Sequence, residues 1–128
     1  MKCHHIGLQS VAFENPPYIL QAASAGGILE QQGPLGKNLD IALADEMNHE
    51  KSWEKAESQM VLSTIRRVIQ KSGLDRSQIQ YIFAGDLMNQ VTASGFAMRE
   101  LSIPFFGLYG ACSTMGESIQ LAAMTVAG

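Results

Sequence analysis

Apolar side chains recur at helical spacing in the stretch that follows Ser52. Ser52 is a favoured N-cap residue, and Gly73 is placed to end a helix in the left-handed conformation. Between them, spacings of three and four residues put one stripe of side chains on a single helical face. The stripe consists of Trp53, Ala56, Met60, Thr64 and Val68. The pattern predicts an amphipathic helix that buries this face.

Short apolar runs rich in β-branched and aromatic residues predict three strands, and helical patterns alternate with the later ones. The predicted strands cover residues 18–25, 79–84 and 105–109. The further predicted helices cover residues 92–101 and 113–126. Strands that alternate with helices are typical of a layered α/β fold, so the sequence predicts parallel βαβ units.

Two segments have no clear periodic pattern. Residues 1–17 end at Asn15-Pro16-Pro17, where two prolines forbid helix, and we expect an irregular lead-in there. Residues 28–51 combine glycine and proline with several carboxylates and predict a long acidic loop. A chain of 128 residues is long enough for one domain and too short for two.

The last predicted helix, residues 113–126, is apolar on all sides rather than along one stripe. Its apolar residues include Met115, Ile119, Leu121 and Met124. Such a helix belongs in a core or between two layers, so we expect it to be buried. Left uncovered, it would make the chain an interaction module that associates through an apolar surface.

Composition narrows the class of function. Apolar residues make up 46% of the chain and charged residues 16%, which excludes intrinsic disorder. A net charge of −3 without a basic block excludes nucleic-acid binding by phosphate neutralisation. The sequence has neither an apolar run long enough to span a membrane nor a signal-peptide pattern. Because cysteines occur only at Cys3 and Cys112, we expect an intracellular, reducing environment.

Cys112 is the principal candidate for chemistry. It follows an apolar strand and precedes a predicted helix, whose first backbone N–H groups stabilise negative charge. A thiolate there would be a nucleophile, and the same N–H groups would hold an oxyanion or a ligand carboxylate. The alternative interpretation is a buried structural cysteine.

A second group of candidates follows the predicted strand 79–84. Asp86 and Asn89 come after its carboxyl end, where open α/β sheets bind ligands. Asp86 would orient a ligand group or bind a cation, and Asn89 offers both a donor and an acceptor. Alternatively, either residue caps the helix that follows.

The histidines do not predict a metal site. His4 and His5 are adjacent residues at the chain terminus, and such pairs rarely bind one metal ion together. His49 forms a similarly weak cluster with Asp45 and Glu50 on the predicted acidic loop. We therefore expect no metal centre built by this chain.

Several motifs occur in a fixed order over nearly the whole chain from Phe13 onward. They are Phe13 to Pro17, Glu30 to Leu35, Ser52 to Glu57, Ala84 to Gln90, Ile103 to Leu108 and Gly110 to Thr114. In these motifs the chain resembles the stage V sporulation protein AD family of the thiolase-like superfamily. The stretch from Gly110 to Gly128 resembles the nucleophile turn and buried helix of thiolases.

The resemblance implies a thiolase-like layered fold, of which residues 1–128 form an incomplete first, amino-terminal half. It also implies a protein that binds dipicolinic acid, a planar dicarboxylate accompanied by calcium, and supports its uptake into the developing spore. Asp86, Asn89, Cys112 and Ser113 would contact the ligand. The implied partners are other membrane-associated sporulation proteins at the inner spore membrane, together with further copies of the chain; no resident cofactor is expected.

An alternative function follows from the same resemblance. Cys112 falls on the thiolase nucleophile position, which implies a thiolase-type acyltransferase or condensing enzyme with acyl-CoA as substrate. Acyl transfer needs groups that move protons. In thiolases, catalytic histidines and a second cysteine come from the other half of the fold. His4, His5 and His49 do not fall on those motifs, so we expect these 128 residues alone to be non-catalytic.

Overall fold

The computed structural model describes residues 3–128, and its elements alternate between short strands and helices. The strands are β1 (Cys3–Ile6), β2 (Ser10–Phe13), β3 (Ala25–Gly26), β4 (Ile41–Ala42), β5 (Ile82–Ala84) and β6 (Phe105–Gly107). The helices are α1 (Ile28–Gln32), α2 (Trp53–Ser72), α3 (Thr92–Leu101) and α4 (Thr114–Ala127). Single 3₁₀ turns occupy Gly36–Asn38, Arg76–Gln78, Asn89–Val91 and Ala111–Ser113. The chain is therefore a mixed α/β protein, as predicted.

Helix α2 agrees with its prediction because both of its ends are capped. The Ser52 side-chain oxygen accepts a hydrogen bond from the Lys55 backbone N–H. Gly73 ends the helix with φ of 70°, a left-handed conformation that glycine adopts at little cost. Trp53, expected on the buried face, is exposed instead, because burial along α2 begins one turn later at Ala56.

The hydrophobic core lies where α2 and α3 pack on one another and on one face of the β5–β6 pair. The buried residues of this cluster are Leu62, Ala97, Met98, Leu101 and Ile103. Ile82 and Ala84 of β5 and Phe105 of β6 pack against them. Removing these apolar side chains from water is the main favourable contribution to folding of this part of the chain.

Strands β5 and β6 pair in parallel, which confirms the predicted parallel pairing, although both strands are shorter than predicted. Phe83 and Phe106 are direct neighbours across the pair, and their rings stack with centroids 4.9 Å apart. Successive side chains point to opposite faces of a strand, so this stack lies on the face opposite Ile82 and Ala84. Within residues 3–128, β5 pairs with β6 alone, and its second edge is open.

The prediction of an irregular lead-in over residues 1–17 is wrong for the described residues. Strands β1 and β2 form an antiparallel hairpin in which Cys3 pairs with Phe13 and Ile6 with Ser10. Gly7 permits the turn between them, since its φ of 67° costs glycine little. The two prolines follow the hairpin and do not prevent structure before them.

The predicted strand over residues 18–25 is also wrong. Only Ala25 and Gly26 pair, in parallel with Ile41 and Ala42 of β4. The apolar residues 18–20 are exposed, and no strand lies beside them in the described part of the chain. Strand propensity reflects packing on a pleated surface, so a favourable sequence forms a strand only where a neighbour provides that surface.

Residues 28–51 hold α1, a 3₁₀ turn and β4, so the prediction of one long acidic loop is wrong. Asp40 fixes this segment, because its carboxylate accepts hydrogen bonds from the Ser24 backbone N–H (3.1 Å) and from Lys71 Nζ (2.8 Å). The Lys71 bond, and then the Ser24 bond, hold the pKa of the Asp40 carboxyl below its ordinary value. A carboxylate expected in a solvated loop thus joins the segment to the last turn of α2.

Helix α4 lies where a helix was predicted, but the prediction that it is buried is wrong for this chain. None of its residues is buried, and Met115, Ile119 and Val126 are largely exposed. The described residues cover α4 on the side that packs against β5, and its other sides remain open. No helix within residues 3–128 is long and apolar enough to cross a membrane.

Leu62 and Leu29 provide a matched test of where the core lies. Leu62 is 3% exposed, and its change to alanine should lower the free energy of unfolding by about 2–5 kcal/mol because it leaves a cavity. Leu29 is 72% exposed on α1, and Leu29→Ala should change that free energy by less than about 0.5 kcal/mol. Urea denaturation followed by circular dichroism measures both, and equal losses would contradict the assignment of the core.

Candidate functional site

An open cleft of about 680 Å³ lies at the carboxyl end of β5, with α2 and α4 as its walls. Its polar and sulfur-containing lining residues are Thr64, Asp86, Cys112, Thr114, Met115 and Ser118. Phe83 and Ala84 of β5 and Ile119 of α4 supply apolar surface. Open α/β sheets bind ligands at the carboxyl ends of their strands, so the position agrees with the rule used to select the candidates.

Gly85 allows the end of β5 and the start of α4 to meet. A Cβ atom at this position would lie 1.9 Å from the Leu108 carbonyl oxygen and 2.8 Å from Thr114 Cγ2. Neither distance is possible between real atoms, so any other residue at position 85 would push the strand and the helix apart. The cleft therefore depends on the absence of a side chain here.

The turn that carries Cys112 is held in an uncommon backbone conformation. Ala111 has φ of 50°, in the left-handed region that residues with a Cβ rarely adopt. The Gly110 carbonyl accepts hydrogen bonds from the Ser113 backbone N–H (3.0 Å) and the Ser113 hydroxyl. Cys112 is exposed and lines the cleft, so the alternative interpretation as a buried structural cysteine is wrong.

Of the two roles that the sequence left open for Asp86, its hydrogen bonds show the capping role. Its side chain is 92% buried, with Oδ1 accepting from the Met88 backbone N–H (2.8 Å) and Oδ2 from the Ser94 backbone N–H (2.7 Å). The Ser94 bond satisfies an N–H in the first turn of α3, whose own N-cap residue Val91 provides no side-chain acceptor. Asp86 therefore holds the start of α3 and also forms part of the cleft wall.

Asn89 and Ser113 do not line the cleft, although each lies in a turn next to a residue that does. Asn89 is exposed in the 3₁₀ turn before α3, where its backbone carbonyl accepts a bond from the Thr92 hydroxyl. The Ser113 hydroxyl is occupied by the Gly110 carbonyl. The structure thus brings together two of the four predicted ligand residues, Asp86 and Cys112.

Sequence reasoning did not select the hydroxyl groups of Thr64, Thr114 and Ser118 as site residues. Thr64 belonged to the predicted stripe of α2, and that stripe was the available signal that it faces another element. All three line the cleft because two separate helices, α2 and α4, contribute to it. Helical periodicity alone does not specify that two helices meet at one cleft.

The electrostatic environment of the cleft is negative. Its lining within residues 3–128 includes the Asp86 carboxylate and no lysine, arginine or histidine. Glu57 of α2 lies close enough to sense this charge: burial raises the pKa of the Glu57 carboxyl, and Asp86 raises it further. An anionic ligand in the cleft would need a cation of its own or backbone N–H donors.

The histidines and acids of residues 3–128 form no group of three or more that could hold a metal ion. His4 and His5 are exposed on β1. His49 Nδ1 lies 3.0 Å from a carboxylate oxygen of Asp45, four residues earlier in the chain, and the pair is exposed.

Comparison with known proteins identifies the family. The family model for stage V sporulation protein AD matches residues 7–128, a span that includes every residue of the cleft lining. The chain belongs to the stage V sporulation protein AD family. The predicted membership is confirmed.

A curated relative extends this finding. Stage V sporulation protein AD of Bacillus subtilis (strain 168) is 39% identical to the chain over 123 residues. The match covers 95% of the chain and 36% of that relative. The chain therefore spans about a third of the length of this member of the family.

The like charges of Glu57 and Asp86 lead to a prediction about stability and pH. Folding raises the pKa of Glu57, so ionised Glu57 destabilises the folded chain at pH 7, and the penalty is absent below its unfolded pKa, about 4.3. Glu57→Gln should therefore raise the unfolding temperature at pH 7 and increase the free energy of unfolding by at most about 1 kcal/mol. This gain should disappear toward about pH 4.

Glu54, on the same helix, is the matched control for this change. A hydrogen bond with its own backbone N–H, and then one with the Ser52 side chain, lower the pKa of the Glu54 carboxyl. Its ionised form therefore stabilises the fold above its unfolded pKa, and Glu54→Gln should lower the unfolding temperature at pH 7. Thermal unfolding at pH 7 and pH 4 tests both, and changes of the same sign at pH 7 would contradict the assignment.

Proposed function

We propose that the chain acts in sporulation, as part of a stage V sporulation AD protein that binds dipicolinic acid and supports its uptake into the developing spore. The observation that carries this proposal is the cleft at the end of β5, within a chain that belongs to this family. The cleft offers apolar surface for a planar ring next to polar groups, the combination typical of small-molecule sites.

The start of α4 provides an electrostatically favourable position for a ligand carboxylate. The first backbone N–H groups of an α-helix have no acceptor within the helix, and they carry the positive end of the helix dipole. Thr114 and Met115, in the first turn of α4, line the cleft. The Thr114 N–H itself donates to the Ala111 carbonyl, so a ligand carboxylate placed there would be favoured by the helix dipole rather than by a bond from this N–H.

A calcium ion would offset the negative charge of Asp86 in the cleft lining. Dipicolinate is a dianion, and the Asp86 carboxylate on the cleft wall repels it. A calcium ion bound to dipicolinate neutralises the ligand, and calcium favours carboxylate oxygens. We therefore propose that the ligand enters together with calcium rather than as the free dianion, with Asp86 and Cys112 on the cleft wall around it.

The proposal includes a place of action and partners. The protein would act at the inner spore membrane through contacts with other sporulation proteins, and it would also associate with further copies of itself. The exposed apolar surface of α4, which includes Met115, Ile119 and Val126, supports an association of this kind.

Calorimetry with dipicolinate tests the function. We expect heat of binding when dipicolinate is added with equimolar calcium, and at least about tenfold weaker binding without calcium because of the repulsion by Asp86. Cys112→Trp should fill the cleft and weaken binding by about tenfold or more. Absence of binding with and without calcium would contradict the proposal.

Cys3 is the matched control because it is the second free, exposed cysteine and lies on β1 rather than on the cleft lining. Cys3→Trp should leave the dissociation constant within about twofold of that of the original chain. Equal weakening by Cys3→Trp and Cys112→Trp would show that the ligand does not occupy the cleft.

A second candidate function is acyl transfer, favoured by the exposed Cys112 thiol on the cleft wall. In this reaction Cys112 Sγ would bond to the acyl carbonyl carbon of an acyl-CoA, the bond from that carbon to the CoA sulfur would break, and CoA would leave with the proton. The cleft lining within residues 3–128 contains no histidine that could take part in the proton transfer.

Intact-mass spectrometry after incubation with acyl-CoA separates the two functions. A binding protein should keep its mass with acetyl-, butyryl- and octanoyl-CoA. An acyl adduct that is lost in Cys112→Ser and kept in Cys3→Ser would support acyl transfer and contradict the non-catalytic function.

A further inference from the structure

Thr114 connects the two chain segments that meet at the cleft. Its Oγ1 accepts a hydrogen bond from the Gly110 backbone N–H (3.0 Å), across the turn that carries Cys112. Its methyl group, Cγ2, lies on the other side against Gly85, at 2.8 Å from the point where a Cβ would stand. One side chain therefore contacts both the turn after β6 and the end of β5.

The hydrogen bond acts on a strained part of the backbone. Ala111, with φ of 50°, follows Gly110 directly and precedes Cys112. A residue with a Cβ leaves this conformation unless its surroundings hold it there. Gly110 is held at both ends, since its N–H bonds to Thr114 Oγ1 and its carbonyl accepts from Ser113.

We propose that Thr114 is a positioning residue of the cleft, which keeps Ala111 in its left-handed conformation and so places Cys112 on the cleft wall. The inference rests on the proposed function for its effect on ligand binding, but the conformational step stands on the contacts of Thr114 alone. Neither group of Thr114 needs to touch the ligand for this role.

Amide hydrogen exchange measured by nuclear magnetic resonance tests the conformational step without a ligand. Thr114→Val keeps the shape of the side chain and removes the acceptor, so exchange at Gly110 should become about tenfold faster. Thr114→Ser keeps the hydroxyl and should retain most of the protection. The Ser94 N–H, held by Asp86, should exchange at an unchanged rate in both variants, which separates a local change from global destabilisation.

Calcium dipicolinate binding tests the consequence for the cleft. Thr114→Val should weaken binding by about tenfold, and Thr114→Ser should remain close to the original chain. The added change Ala111→Gly should restore binding in Thr114→Val, because glycine adopts positive φ without the help of Thr114. A purely structural loss of packing would not be rescued in this way.

Thr125 is the matched control on the same helix. Its hydroxyl donates to the Leu121 carbonyl on an exposed face, so Thr125→Val should change neither the exchange at Gly110 nor the binding. Unchanged exchange at Gly110 in Thr114→Val, or failure of Ala111→Gly to restore binding, would overturn the proposal. If the original chain binds no calcium dipicolinate, the proposed function fails, and the exchange at Gly110 still decides the role of Thr114.

Discussion

Close contact between a strand end and a helix start is the constraint on which the cleft depends. The carbonyl of Leu108 and the methyl group of Thr114 occupy the space that a side chain at position 85 would need. Because Gly85 leaves that space free, the turn with Cys112 and the segment with Asp86 line one cleft, together with Thr64 of α2. The positions of Cys112 and Asp86 on the cleft are thus a consequence of backbone packing at a residue that has no side chain.

The carboxylate of Asp86 both holds the start of α3 and lines the cleft. The N-cap residue of α3 provides no side-chain acceptor, and the buried Asp86 carboxylate, which accepts two backbone hydrogen bonds, takes its place. The same carboxylate makes one wall of the cleft negative. A protein that needs this charge for its fold can still use an anionic ligand, provided that the ligand is neutralised by a cation or received by backbone N–H groups elsewhere.

Much of the fold could be predicted where the determinants are local. Helix α2 is specified by Ser52, Gly73 and the apolar spacing between them, and α3 and the parallel β5–β6 pair follow from similar signals. The strand at 18–25 and the burial of α4 were predicted wrongly, because pairing and covering depend on distant segments. The β1–β2 hairpin is local, and it was missed because the two prolines after it do not prevent pairing before them. In the site, Asp86 follows from the rule about strand ends, and Cys112 follows from its place before a predicted helix. Thr64 could not be selected, since periodicity does not show which elements meet at a cleft.

Helix α2 presents neighbouring faces to the core and to the cleft. Leu62 is buried in the core and Ile65 packs against the core cluster. Thr64, between them in sequence, points to a different face of the helix and lines the cleft. Protein interiors are close-packed and barely compressible, so a substitution that rotates or shifts α2 within the core moves the cleft wall with it. Substitutions at core positions that do not line the cleft should therefore change the shape of the cleft and, with it, the affinity for any ligand bound there. Compensating pairs of substitutions between α2 and α3 are the expected evolutionary trace of that coupling.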